Sequence, residues 1–195
     1  MNKNTLNKLK LYEESLKEWQ QKFNLVSNSS LDHSWERHFE DSIQLFSLIP
    51  SSSKTLFDFG SGAGFPGMVL AVMAQEALPN LKVNLVESIK KKTLYLKHVS
   101  EILNVSVNII NDRIENIPAQ KSDVITSRAL SSLSELLNYS EKFLHKNTIC
   151  IFPKGKKHME EIADAQKKWK FDFQIHKSVS SDEGAILVLT NIRRK

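Results

Sequence analysis

Apolar residues at Leu6, Leu9, Tyr12, Leu16, Trp19 and Phe23 recur every three or four positions, the period that lines side chains along one face of an α-helix. The stretch from Leu31 to Leu48 repeats the pattern with Trp35, Phe39, Ile43 and Phe46 and predicts a second helix. Pro50-Ser51-Ser52-Ser53 then breaks the rhythm and reads as a linker. Residues 1–50 are therefore expected to form a helical arm or cap, and residues 54–195 one compact unit.

From Thr55 onward short β-rich runs alternate with longer helical ones, as in a parallel sheet covered by helices. Strands are predicted at Thr55–Phe59, Lys82–Glu87, Ser106–Asn111, Asp123–Ser127, Thr148–Phe152, Phe171–His176 and Ala185–Asn191. The seven residues Ser178 to Gly184 leave no room for a helix between the last two. A hairpin follows, and with it an antiparallel strand at one edge of an otherwise parallel sheet.

Asp58-Phe59-Gly60-Ser61-Gly62-Ala63-Gly64 closes the first strand, and Pro66 suits the first turn of the helix that follows. Glycines let the backbone turn sharply and let a ligand approach closely, while the helix start supplies free N–H groups and positive dipole. This strand-turn-helix unit predicts a nucleotide-like cofactor. Gly62-Ala63-Gly64-Phe65-Pro66-Gly67 also satisfies the dinucleotide fingerprint, and Glu87 at the end of the second strand suits the ribose hydroxyls of either ligand. The turn alone leaves NAD and S-adenosylmethionine both open.

Composition narrows the field. The 195 residues are 41% hydrophobic, which suits a single core. The run Met68 to Ala74 is far short of the roughly 20 residues of a membrane span. The N-terminus has no secretory apolar core, so a cytoplasmic location is expected. Cys150 is the single cysteine and lies in an apolar run, which predicts a buried structural thiol. The histidines show no metal-ligand spacing, and no metal is expected. A net charge of +5 favours a polyanionic partner. The basic residues cluster at Lys90-Lys91-Lys92, Lys156-Lys157 and Arg193-Arg194-Lys195, where contact with RNA phosphates is the functional reading.

Several separated motifs converge on one family. They are Trp19 with Phe23-Asn24-Leu25, Arg37-His38 with Asp41-Ser42, the turn from Asp58 to Gly67, Glu87-Ser88 with Lys91-Lys92, Arg113-Ile114-Glu115, Ser127-Arg128-Ala129 and Lys154-Gly155. In these the chain resembles the RsmG (GidB) methyltransferases along nearly its whole length. The resemblance implies a class I methyltransferase, Rossmann-like fold. Its seven-stranded, mostly parallel sheet would end in an antiparallel strand and carry an N-terminal helical cap. It also implies S-adenosyl-L-methionine as cofactor and, as reaction, methylation of N7 of a guanine in the decoding-region loop of 16S ribosomal RNA. The expected partner is that RNA or the assembling small subunit, met by a monomer. The competing readings are an NAD-dependent oxidoreductase and a non-catalytic RNA-binding module.

By the same resemblance Gly60 and Phe65 would line the cofactor at the turn and Ile114 and Glu115 would flank the adenine; Gly62 and Gly64 of the turn, and Glu87 at the ribose, are the cofactor contacts that the strand-turn-helix pattern itself predicts. Arg128 faces the methionine moiety and is the leading catalytic candidate, because a guanidinium can bond a carboxylate or the O6/N7 edge of guanine. Arg37, His38 and Lys154 are the substrate-side candidates. A structural role for Arg128 would pair it with a carboxylate such as Glu115. Guanine N7 has a lone pair and no proton to lose, so the reaction needs alignment rather than a general base.

Overall fold

The computed structural model describes residues 1–195, apart from the side chains of Asn28 and Ser29. Helix α1 (Lys3–Gln20) starts where Asn2 Oδ1 accepts from Thr5 N at 2.8 Å, satisfying one of the free donors of a helix start. Its stripe buries Leu9, Tyr12 and Leu16 completely.

The single helix expected over Leu31–Leu48 is instead four short pieces: α2 (Asn28–Leu31), a π-helical turn (Trp35–Glu40), α3 (Asp41–Ile43) and a 3-10 turn (Gln44–Leu48). The apolar period survives because Phe39 and Leu45 are still buried and Trp35, Ile43 and Phe46 still pack on the same core. Apolar spacing reports which face is buried and is blind to changes of helical pitch along that face.

The strands are β1 (Thr55–Phe59), β2 (Lys82–Val86), β3 (Asn108–Ile110), β4 (Val124–Ser127), β5 (Ile149–Lys154), β6 (Trp169–Lys177) and β7 (Ala185–Arg194). They form one sheet in the order β3-β2-β1-β4-β5-β7-β6. The first five are mutually parallel, and β7 runs antiparallel to both neighbours. The antiparallel strand therefore lies inside the sheet, and β6 takes the edge. Burial explains the placement. Ile186, Leu187 and Leu189 of β7 are buried and feed the cores on both faces, whereas Phe173 and Ile175 of β6 are 38% and 42% exposed.

Strand alternation sorts the two cores. Leu56 of β1 packs with α1, α4 (Gly67–Ala77) and α5 (Lys90–Leu103), while Phe57 and Phe59 face α6 (Leu133–Ser140) and α7 (His158–Ala165). The arm thus belongs to the same hydrophobic cluster as α4 and α5. Cys150 sits in the second cluster, where burial pushes its thiol up to about 12.

Candidate active site

The registers Phe59↔Val86, Val86↔Ile110 and Phe59↔Ser127 bring the carboxyl ends of β1 to β4 level with one another. Ligands in such sheets bind outside those ends, and there the loops enclose a cavity of about 490 Å³.

Hydrogen bonds hold the glycine turn rigidly. Ser61 N donates to Val86 O at 3.0 Å, and Gly64 N donates to Ser61 O at 2.7 Å. Beneath it the fully buried Asp58 accepts from Gly67 N at 3.1 Å and from Thr126 Oγ1 at 2.8 Å. Burial nevertheless raises its carboxyl to about 6. Gly64 has a φ of 99°, and a Cβ there would overlap the Tyr12 hydroxyl and stand 2.9 Å from Met68 Cβ. Tyr12 Oη donates to Ala63 O, and its ring stacks on Phe65 at 5.3 Å. The first helix is thus fastened to the back of the turn.

Glu87 braces the other side. Its Oε2 accepts from Gly62 N at 2.9 Å and its Oε1 from Ile89 N at 2.7 Å. Each oxygen keeps a further acceptor lone pair for a hydroxyl. Ile114 and Glu115 follow β3 in a 3-10 turn and line the same cavity.

Arg128 leaves the end of β4 into a cage made by the arm. Its Nη1 donates to Arg37 O at 2.9 Å and to Asp41 Oδ2 at 3.1 Å, and its guanidinium lies over the Phe65 ring at 5.3 Å. Its Nη2 is 2.9 Å from His38 Nδ1. A guanidinium can only donate, so Nδ1 is the acceptor and the proton sits on Nε2, which faces Ser30 Oγ at 3.0 Å. Burial and then the Arg128 cation lower His38 to about 4, which keeps the ring neutral. The ion-pair partner of Arg128 is therefore Asp41, not Glu115. The next residue, Ala129, holds a φ of 53°, a strained state that persists where the surroundings impose it.

Arg128, Ala129 and Leu130 also line a second cleft, of about 1110 Å³. It extends to the end of β5, α7 and the β6–β7 loop. Lys154 Nζ lies in it, donating to Ser131 O at 2.7 Å and to Glu161 Oε2 at 2.6 Å, and Glu161 Oε2 also accepts from Leu133 N at 2.7 Å. Asp41 ties this cleft to the first cavity, since its Oδ1 accepts from Ser180 Oγ at 2.7 Å.

Gly60, Gly62, Phe65, Glu87, Ile114, Glu115 and Arg128 meet around the smaller cavity. Gly64 stands behind it, against Tyr12 and Met68. Arg37 contributes its carbonyl while its side chain is exposed, His38 backs Arg128, and Lys154 belongs to the larger cleft. Tyr12 and Glu161 carry no sequence signal for their roles, and Ala129 has one only as the last residue of Ser127-Arg128-Ala129. Asp41 had one, in its pairing with Arg37-His38, but nothing that named Arg128 as its partner. Arg194 is held by Glu141 at 2.6 Å and lies over Trp169 at 4.8 Å, so it serves the fold as well as the surface charge. Among the described residues no group of three His, Cys, Asp or Glu side chains could hold a metal ion, and no helix is long and apolar enough to cross a membrane.

The GidB family profile, described as rRNA small subunit methyltransferase G, matches residues 5–188. The chain is 38% identical over 187 residues to ribosomal RNA small subunit methyltransferase G of Jannaschia sp. (strain CCS1), covering 96% of this chain and 89% of that protein. It is 37% identical over 194 residues to the protein of the same name from Ruegeria sp. (strain TM1040), covering 100% and 94%. Its fold is similar to that of a TehB-like SAM-dependent methyltransferase from Corynebacterium glutamicum, with a TM-score of 0.61 over 92% of this chain and 97% of that one at 12% identity.

Proposed function

The chain belongs to the GidB family of small-subunit rRNA methyltransferases, and from that membership we propose that it methylates N7 of a guanine in the decoding-region loop of 16S ribosomal RNA, with S-adenosyl-L-methionine as donor. The observation that carries the reading is the wall Arg128-Ala129-Leu130, which separates a cofactor-sized cavity from a larger cleft. A transfer between two bound molecules needs two sites that meet at one point.

The residues around the smaller cavity fit the donor. Gly60 and Gly62 leave the turn without side chains, Glu87 offers acceptors for ribose hydroxyls, Ile114 offers an apolar edge, and Arg128 offers a cation for a carboxylate. S-adenosylmethionine supplies an electrophilic sulfonium methyl. Guanine N7 brings its own lone pair, so no side chain has to remove a proton. The neutral, fully engaged His38 accords with this, because it has no free basic nitrogen to offer. What the chain must do is orient and exclude water. Arg128 is rigid for that task, with Asp41, His38 and the Arg37 carbonyl fixing its planar fork and the Phe65 ring beneath it.

RNA phosphates are met by Lys90, Lys91 and Lys92 beside the cofactor cavity and by Lys156 and Lys157 beside the cleft. The three lysines stand at the start of α5, with no acidic residue in that turn. Cations are unfavourable there for the helix, which supports a role outside it. The protein acts in the cytoplasm as a monomer, on the RNA or the assembling subunit. Mapping N7-methylguanine in the small-subunit RNA of cells lacking the gene tests the reading. One decoding-region modification should vanish and return on complementation, and an unchanged map would refute it.

A further inference from the structure

Lys154 and Glu161 lie side by side in the larger cleft, with side chains 8% and 26% exposed. Lys154 spends two of its three N–H donors, on Ser131 O and Glu161 Oε2. Glu161 takes both of its bonds, from Lys154 and from Leu133 N, on Oε2. Its Oε1 has none among the described residues. The pair therefore offers one donor beside one acceptor, in a cleft whose near wall is shared with the cofactor cavity.

That order complements the Watson–Crick edge of guanine, where the O6 acceptor adjoins the N1–H and N2–H donors. Adenine reverses it, with an amino donor beside an unprotonated N1. We propose that Lys154 and Glu161 select guanine as the substrate base, Lys154 donating to O6 and Glu161 accepting from N1–H and N2–H. This rests on the guanine-N7 reading above. The assignment leaves the N7 edge of the base free to face the wall at Arg128. It also moves base selection to side chains that the cofactor does not touch. Adenine in the same place would set its amino group against an ammonium and its N1 lone pair against a carboxylate, and turning it in its plane to offer N7 and N6–H instead would tie its N7 edge to the pair and away from the wall at Arg128.

The test is a cycle between protein and base. Small-subunit RNA is prepared with guanosine or inosine at the target position, and single-turnover N7 methylation is measured with wild-type protein and with Glu161→Gln. Inosine keeps N7, O6 and N1–H and lacks only the N2 amino group. Wild-type protein should lose roughly tenfold or more on inosine, the scale of one hydrogen bond to a charged group. Glu161→Gln should lose about as much on guanosine and suffer little further loss on inosine, with its affinity for S-adenosylhomocysteine unchanged. If wild-type protein methylates both RNAs equally, or the variant keeps the full inosine penalty, the assignment is overturned and the pair only braces the β4–α6 loop. Equal wild-type rates on the two RNAs overturn the assignment even if this variant folds poorly, and in that case Glu161→Asp, which keeps the charge and withdraws the carboxylate, takes its place in the cycle and should likewise lose the inosine penalty. Failure of wild-type protein to methylate N7 of the guanosine RNA would overturn the underlying reading, and this inference with it.

Discussion

The cavity at the glycine turn and the cleft beside it meet at Arg128 and are built from different materials. The cavity is walled by turns that leave consecutive parallel strands, with backbone groups and one buried carboxylate, Glu87, doing most of the bonding. The cleft is walled by side chains from the arm, the loop after β4, the end of β5, α7 and the β6–β7 loop, joined in pairs such as Lys154–Glu161 and Asp41–Ser180. A backbone-built site resists the loss of any one side chain but is intolerant of added atoms. A site built from pairs depends on both partners, because a lone charge left partly buried is costly.

Arg128→Ala breaks the comparison where the two sites join and should have the largest effect. Methyl transfer should fall by about 10³-fold or more, on the scale of losing a positioned electrostatic contact, while circular dichroism shows a folded protein. Full activity of this variant would remove Arg128 from the mechanism. Gly64→Ala probes the backbone side. A methyl at that positive φ, against Tyr12 and Met68, should cost roughly 3 kcal/mol in urea unfolding. A stability within about 0.5 kcal/mol of the parent would show that the turn yields more easily than its hydrogen bonds suggest.

The pH dependence of stability separates the two regions further. Asp58, beneath the turn, has a folded-state value raised to about 6 from 3.8, so its proton favours the folded form below that range and the benefit disappears as pH rises from about 4 to 6. His38, on the arm, has its value lowered from 6.5 to about 4, so its contribution is present above 6.5 and is lost as pH falls through that window. The slopes oppose each other. Asp58→Asn should therefore unmask an acid-side loss between pH 6 and 4, on the order of 2 kcal/mol relative to the parent. Parallel stability curves for the two proteins would contradict this.

Asp41→Asn sharpens the cleft side with the smallest change. It removes the charge that fixes Arg128 and weakens the tie to Ser180, so kcat should drop about tenfold, the scale of one charge-assisted bond. Affinity for S-adenosylhomocysteine should change less. Equal losses in both would assign Asp41 to the cofactor side alone.

Much of the architecture was legible in advance. The first strand was expected at its observed bounds, and the hairpin of the last two strands followed from the shortness of the loop between them. The errors share a cause. The arm keeps its apolar stripe across turns of different pitch, so period counting merged the Trp35–Glu40 turn with its neighbours. Loop length alone leaves the antiparallel strand at an edge, because a hairpin specifies direction without specifying which of its arms lies outside. Burial of Ile186, Leu187 and Leu189 decided that.

The glycine turn, the strand-helix alternation and the family motifs are properties of neighbouring residues, and local backbone preference and apolar period write them directly into the chain. The partner of Arg128 is not such a property. Asp41 lies 87 positions earlier, and only the packing of the arm onto α4 and α5, together with β4 standing beside β1, brings the two within bonding distance. Lys154 and Glu161 stand only seven positions apart, but the Ser131 carbonyl and the Leu133 N–H that complete their network come from the loop after β4 and reach them through tertiary packing. Short-range physics specified the glycine turn; the layer packing of distant segments determined which carboxylate meets Arg128.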